Sequence, residues 1–153
     1  MQVKIFSAQD DLASLANAIN TAQWDDANEM TDYSAEDLAH YLQQQDTVFV
    51  ACYDAPDSSS GLLGIASARI QIKPYDKERW LYVDEVDVCV NQRRRGAGKA
   101  IMQALLAIAR DNGCQELWLG TEIDNLPANA LYKSLGADEI EEFVGYSYRL
   151  GDE

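Results

Sequence analysis

The sequence predicts an α/β fold of the α+β kind, a mixed, mostly antiparallel twisted sheet flanked by helices. Three features carry that prediction. Thr47–Tyr53, Leu62–Ile72 and Trp80–Val90 are strand-like runs in direct succession, joined by turn-forming stretches at 54–61 and 73–79, the pattern of hairpin neighbours. Helical periods stand both before and after them. The order read along the chain is β-α-α-β-β-β-α-β-α-β-β, with neither an internal repeat nor a low-complexity tract to suggest a second architecture.

Each element has its own signal. Gln2–Phe6 alternates like a strand, and Ser7–Asp10 offers an S-x-x-D cap to a first helix whose apolar stripe is Leu12, Leu15, Ala16 and Ile19. A second S-x-x-D, Ser34–Asp37, opens a helix with Leu38, Tyr41 and Leu42. Between the two lies an acidic segment, 24–33, with aromatic residues at both ends, Trp24 and Tyr33. Thr47–Tyr53 is apolar on both faces, hence a covered strand, and Leu62–Ile72 returns after a loose tip at 54–61. Trp80–Val90 follows the second hairpin.

The helix from Ala97 is the clearest. Ala97, Ala100, Ile101, Ala104, Leu105, Ile108 and Ala109 form one apolar face, and Asn112-Gly113 supplies a left-handed stop. Gln115–Leu119 is a short strand. Asn125–Leu135 is a short helix with Pro127 in its first turn and Gly136 as its stop, and 138–150 offers two strand pieces around Gly145.

Composition bounds the class. At 153 residues, with 47% hydrophobic and 25% charged residues, the chain is long enough for one globular domain, 1–153, with a real core. It contains no apolar run of bilayer-spanning length. The opening MQVKIFSAQDD lacks the apolar centre and cleavage site of a signal peptide, so a cytoplasmic protein is expected. Cys52, Cys89 and Cys114 are odd in number and widely spaced, which reads as reduced core thiols rather than a disulfide framework, and no metal centre is expected. Cys89 lies near the carboxylate strand, but the single histidine, His40, falls on a peripheral helix and offers it no base. The formal net charge of −14 repels nucleic acid and anionic membrane and attracts a polycation.

Against that acidity, Arg93, Arg94, Arg95 and Lys99 place four cations within seven positions, at a strand–turn–helix junction that also holds Gly96 and Gly98. A basic run alone is more often a solvated patch. Here it precedes a helix N-terminus, whose unpaired N–H groups and positive dipole end attract an anion. Glycines leave the backbone open to an oxyanion. The spacing departs from other phosphate loops: Gly98-Lys99-Ala100 lacks the Ser or Thr of a Walker loop, and Gly96-Ala97-Gly98 has no third glycine for a dinucleotide fingerprint.

Carboxylates are the second feature. Glu85 and Asp87 alternate onto one face of the strand, with Asp84 expected on the other, in a run otherwise rich in Val, Leu and Tyr. A solvated edge strand would also carry alternating acids; apolar residues on both faces argue for burial.

Arg93-x-x-Gly96-x-Gly98 resembles the Q/R-x-x-G-x-G/A signature of the GNAT superfamily of N-acetyltransferases, and the element order is similar to that fold over essentially the whole chain. The resemblance implies acetyl-CoA as co-substrate, with its pyrophosphate on Arg93, Arg94, Arg95, Gly96, Ala97, Gly98, Lys99 and Ala100. It implies backbone contacts to pantetheine from Val88, Cys89 and Val90, where an amide can also serve the oxyanion. Asn125-x-x-Ala128-x-x-Leu131-Tyr132 resembles a second family motif, implying that Asn125 and Ala128 lie along pantetheine and that Tyr132 is the general acid near the sulfur.

Within the superfamily the chain looks most similar to small aminoglycoside 3-N-acetyltransferases. That implies Glu85 as general base where those enzymes tend to carry Asp, with Asp87 in reserve. Asp25, Asp26, Glu29, Asp32, Glu85, Asp87, Glu122, Asp124 and Glu142, together with Glu139 and Glu141, are on segments the fold would gather around a cationic acceptor. An antibiotic-resistance transferase acting on an aminoglycoside is the first reading. Polyamine or peptide acetylation, and a non-catalytic acetyl-CoA-binding module, are the alternatives; a homodimer fits the resemblance as well.

Overall fold

The computed structural model describes residues 1–25, 30–54, 61–90 and 96–151, in two units, Met1–Thr121 and Glu122–Glu153. Among the described residues, the first unit is a five-stranded sheet with three helices. Strands β1 (Gln2–Ile5), β2 (Thr47–Tyr53), β3 (Leu62–Ile72) and β4 (Arg79–Val88) pair antiparallel in chain order, and β5 (Glu116–Trp118) adds to β4 in parallel. Helices α1 (Leu12–Thr21) and α2 (Ala35–Gln43) lie between β1 and β2, and α3 (Ala97–Asp111) lies between β4 and β5.

Cross-strand partners share a face of a sheet, so the register sorts the core into two layers. Phe49, Ala51, Tyr53 and Ile65 pack with Leu12, Leu15, Ala16 and Ile19 of α1 and Leu38 of α2. The opposite face meets α3: a Cβ on Gly64 would lie 3.0 Å from Cδ1 of Ile101. α3 buries Ile101, Met102, Leu105 and Ile108, each contributing about 1.5–3 kcal/mol relative to exposure. With a helix layer on both faces, β2 is buried from Val48 to Tyr53, as its unbroken apolar run predicts, and β3 is buried from Leu63 to Ala66 while Arg69, Gln71 and Ile72 near its end are exposed.

Helix ends follow local chemistry, with one difference. Ser34 caps α2 by accepting from the Asp37 N–H at 3.0 Å, as its motif predicts. The Ser7–Asp10 motif caps nothing. Asp10 turns back to the Ser7 N–H at 2.7 Å and pairs with Lys4 at 3.5 Å, and the next residue, Asp11, caps α1 through the Ser14 N–H. α3 ends at Asn112 with Gly113 at φ +70°.

The second unit holds α4 (Leu126–Ser134), capped by Asn125 and followed by Gly136 at φ +76°. The two strands expected over 138–150 are not formed. Alternation such as YSYRL is a pattern, while a strand exists only through a paired neighbour, and no ladder joins these residues among those described.

Candidate active site

The site is built on an irregularity in β4. Ala68 pairs with Val83 and its neighbour Ser67 with Glu85, so Asp84 is an extra residue, a β-bulge, with no partner on β3. Leu81 and Val83 are buried on the α3 side of the sheet. Regular alternation from them would send Glu85 and Asp87 into that same layer. The bulge instead sets Glu85 in one row with Ser67 and Phe49, and Asp87 in the next row with Ile65 and Ala51, on the face covered by α1 and α2. The pair shares a face as predicted. Asp84, expected on the opposite face, is the bulged residue itself and lies exposed there, and its charge, second to burial, raises the pKa of Tyr41 on α2.

The two acids differ in environment. Glu85 is exposed, whereas Asp87 is 9% exposed and its Oδ2 has no hydrogen-bond partner. Burial first, then the charge of Glu85 and a hydrogen bond to it, push the Asp87 carboxyl up to about 7. The pair therefore takes up or gives off a proton near neutrality, and Glu85 presents its outer face to solvent.

Within electrostatic reach of this pair is a residue that the sequence did not single out as functional. Tyr33, half-buried, packs edge-on against Phe49 at 6.2 Å between ring centroids. Its phenol is pushed up to about 12 by burial and then by the negative charge of Glu85 and Asp87. Asn20 at the end of α1 holds Tyr33 at two points: Nδ2 donates to the Tyr33 carbonyl and Oδ1 accepts from the Tyr33 N–H, each at 2.8 Å. Trp24, whose Nε1 donates to the Ile19 carbonyl at 2.8 Å, packs against the same apolar layer. The only trace of this in the sequence is an aromatic residue at each end of the acidic segment.

The other end of β4 leads toward the glycine turn. β4 pairs with β5 only at Trp80, Tyr82 and the residue between them, and the described ladder stops there, leaving the later part of β4 without a β5 neighbour. Past Val88, the Cys89 N–H donates to the Leu63 carbonyl and the Val90 N–H to the Gln23 carbonyl, both at 2.8 Å. Those two amides are engaged within the protein. Cys89 is buried, its Sγ lies 3.4 Å from the Leu62 carbonyl oxygen, and burial raises its thiol to about 11, which suits a core thiol and not a nucleophile.

Gly96 is the N-cap of α3 at φ +86°, and no side chain caps the helix there. An added Cβ would meet nothing within 4 Å, so backbone conformation alone calls for glycine. The first turn of α3, with buried Ala97, then Gly98, exposed Lys99 and Ala100, presents its amide end and a cation together. Such an end suits a phosphate ester. Arg93, Arg94 and Arg95 lie outside the described residues.

Of the acids expected around an acceptor, Asp32 is exposed beside Tyr33, Asp25 is half-buried and engaged, and Asp26 and Glu29 lie outside the described residues. In the second unit Glu122, Asp124, Glu139, Glu141 and Glu142 are exposed. Asn125 Oδ1 accepts from the Ala128 N–H at 3.3 Å, so this oxygen is used as a helix cap. The Asn129 amide ties the preceding turn to the helix through the carbonyls of Glu122 and Asn125, at 3.0 and 2.8 Å. Tyr132 is half-buried on α4. Among the described residues no group of three or more His, Cys, Asp or Glu is placed to hold a metal ion, and no helix is long and apolar enough to cross a membrane.

Residues 11–137 match the model of the family described as Acetyltransferase (GNAT) family. Among curated proteins, mouse N-acetyltransferase family 8 member 7 is 28% identical over 115 residues, 74% of this chain and 51% of that protein. The chain spans about half or less of the length of the first such relatives. Aminoglycoside N(6')-acetyltransferase type 1 of Stenotrophomonas maltophilia is 26% identical over 130 residues, 83% of this chain and 80% of that one. Among solved structures, the aminoglycoside acetyltransferase meta-AAC0020 from an uncultured soil metagenomic sample, in complex with trehalose, superposes with a TM-score of 0.81 at 20% identity. That superposition covers 98% of this chain and 96% of the other, a likeness of fold.

Proposed function

The chain belongs to the acetyltransferase (GNAT) family, and from that premise we propose that it transfers the acetyl group of acetyl-CoA to an amine of a polycationic small molecule, an aminoglycoside antibiotic first of all. The observation that carries this reading is the Glu85–Asp87 pair: two carboxyls on one face, one exposed and one buried with a pKa of about 7. An ammonium group is the natural partner of such a pair, and a net charge of −14 steers polycations toward the protein. The aminoglycoside acetyltransferase relative that this chain spans over most of both lengths supports the same acceptor class. Residues 1–153 are read as one catalytic domain.

In this mechanism the exposed Glu85 carboxylate receives the acceptor ammonium, and the Glu85–Asp87 pair takes its proton. The freed amine attacks the thioester carbonyl of acetyl-CoA; the C–N bond forms as the C–S bond breaks. Tyr132 is the proposed acid that protonates the departing thiolate, and the second proton that the nitrogen loses as the amide forms returns Tyr132 to its neutral state. The overall reaction releases one proton, which the pair passes to solvent. The α3 N-terminus from Gly96 to Ala100, with Arg93, Arg94 and Arg95, is the proposed seat of the pyrophosphate, and Val88, Cys89, Val90, Asn125 and Ala128 the proposed lining of the pantetheine arm.

The test is thiol release from acetyl-CoA with gentamicin-type and kanamycin-type aminoglycosides, spermidine and a short peptide, followed by mass analysis and NMR of the product. A singly acetylated aminoglycoside is expected, and NMR distinguishes the 3-N position, to which the sequence resemblance points, from the 6'-N position named for the relative. Turnover confined to spermidine or peptide overturns the antibiotic reading and keeps the mechanism. Acetyl-CoA binding without turnover on any amine overturns the catalytic reading.

A further inference from the structure

Asn20 is on α1, at the opposite end of a loop from Tyr33, and plays no part in the chemistry above. Its side chain nevertheless uses both amide atoms on the main chain of one residue, much as a neighbouring strand would. Two hydrogen bonds of 2.8 Å, one to each of the peptide units that flank that residue, hold its position and direction together, where a single bond would leave it free to swing.

What is held in this way is the ring packed against Phe49, at one end of the row that carries Glu85. Phe49, Ser67 and Glu85 stand in one row across β2, β3 and β4, so Phe49 and Glu85 are two strands apart, about 10 Å. Between them stands Ser67, a small and half-buried side chain. Tyr33 packs edge-on against Phe49 on this face, and its phenol lies within electrostatic reach of both carboxyls.

We infer that Asn20 is a positioning residue that sets Tyr33 as the acceptor-side wall of the Glu85–Asp87 site. An incoming ammonium is received between the phenol and the carboxylates, with the electron-rich ring facing the cation and the hydroxyl oxygen accepting from it. Tyr33 thereby determines acceptor affinity, and Asn20 acts only through Tyr33. This rests on the acceptor being an amine of the class proposed above.

The test is a double-mutant cycle on the full chain with the best acceptor of the wild-type panel. Tyr33→Ala is expected to raise the acceptor KM about tenfold or more, and Asn20→Ala about five- to tenfold, with the acetyl-CoA KM of both unchanged. The double variant is expected to be no worse than Tyr33→Ala alone, because Asn20 has no separate effect. Additive losses, an unchanged acceptor KM in Tyr33→Ala, or equal rises in both KM values would overturn the inference. Should Asn20→Ala fail to fold, Asn20→Asp keeps the oxygen that accepts from the Tyr33 N–H and carries the same expectation at smaller size. A wild-type protein without turnover on any amine refutes the proposed function itself; an active wild type with additive variants refutes only the role of Asn20.

Discussion

Ser67 stands directly across from Glu85, although the neighbour of Ser67 in its own strand, Ala68, stands across from Val83. One residue is therefore gained on β4 between two adjacent positions on β3, and a side chain that would have entered the α3 layer emerges on the layer of α1 and α2. The placement of both carboxyls depends on that single insertion.

Inserting an alanine after Asp84 tests this directly. With the bulge kept, the new residue takes the place across from Ser67, and Glu85 and Asp87 move one position on, across from Ala66 and Gly64, toward α3, which buries a pair of acids near Ile101 and Leu105. Turnover should fall by about 10²- to 10⁴-fold, the range ascribed to a lost general base, and the thermal midpoint should drop as well. Asp84→Ala keeps the bulge, and initial rates within a few-fold of wild type are expected from it.

Asp87 predicts a pH dependence of stability with a definite sign. Its pKa is about 7 in the folded protein against an ordinary value of 3.8, so the native state holds the proton more tightly. That contribution is fully present at low pH, is lost as pH rises from about 4 to about 7, and stays lost above. Asp87→Asn should therefore be more stable than wild type at pH 8 by roughly 4 kcal/mol and no more stable at pH 4, read from denaturant midpoints. Equal differences at the two pH values would rule out the raised pKa.

Activity should follow the same titration in the opposite sense. The rate at low acceptor concentration is expected to rise through about pH 7 as the pair loses its proton. Glu85→Gln removes the neighbouring charge and leaves the burial, so the remaining activity should show its inflection at lower pH. An inflection that does not move would place the titrating group elsewhere.

Gly64 carries no side chain because none fits. A Cβ there would lie 2.7 Å from the backbone carbonyl oxygen of Asp87, a group that cannot yield without moving β4. Gly64→Ala is expected to destabilise by roughly 1–3 kcal/mol and to lower kcat, since the strand that moves carries the carboxyls. Thermal unfolding and saturation kinetics measure the two effects.

Gly96 is the contrasting case. Space around it is open, and only its φ of +86° resists substitution. Gly96→Ala should cost roughly 1 kcal/mol and raise the KM for acetyl-CoA, leaving the acceptor KM unaltered. A rise in the acceptor KM alone would separate this turn from the co-substrate.

Local signals and distant ones differ in how far they could be read. α3 and α4 were legible because period, cap and glycine stop all lie within one stretch of chain, as at 97–113 and 125–136. That Glu85 and Asp87 share a face follows from alternation; which face does not, since the bulge at Asp84 is a relation to β3. The cap of α1 moved by one residue because Asp10 is claimed by Ser7 and Lys4. The Asn20–Tyr33 pairing spans 13 positions with no periodic trace, so no local pattern could announce it. Strand propensity over 138–150 was visible, but pairing belongs to the partner as much as to the segment.

The cysteines bear on how this protein is assayed. Cys52 and Cys89 are buried, Cys114 is half-buried, and burial raises the pKa of all three thiols. Thiolate, the form that attacks disulfide dyes and alkylating reagents, is scarce at each of them near neutrality. A colorimetric reagent added to a reaction mixture will thus record coenzyme A as it is released, with little background from the enzyme.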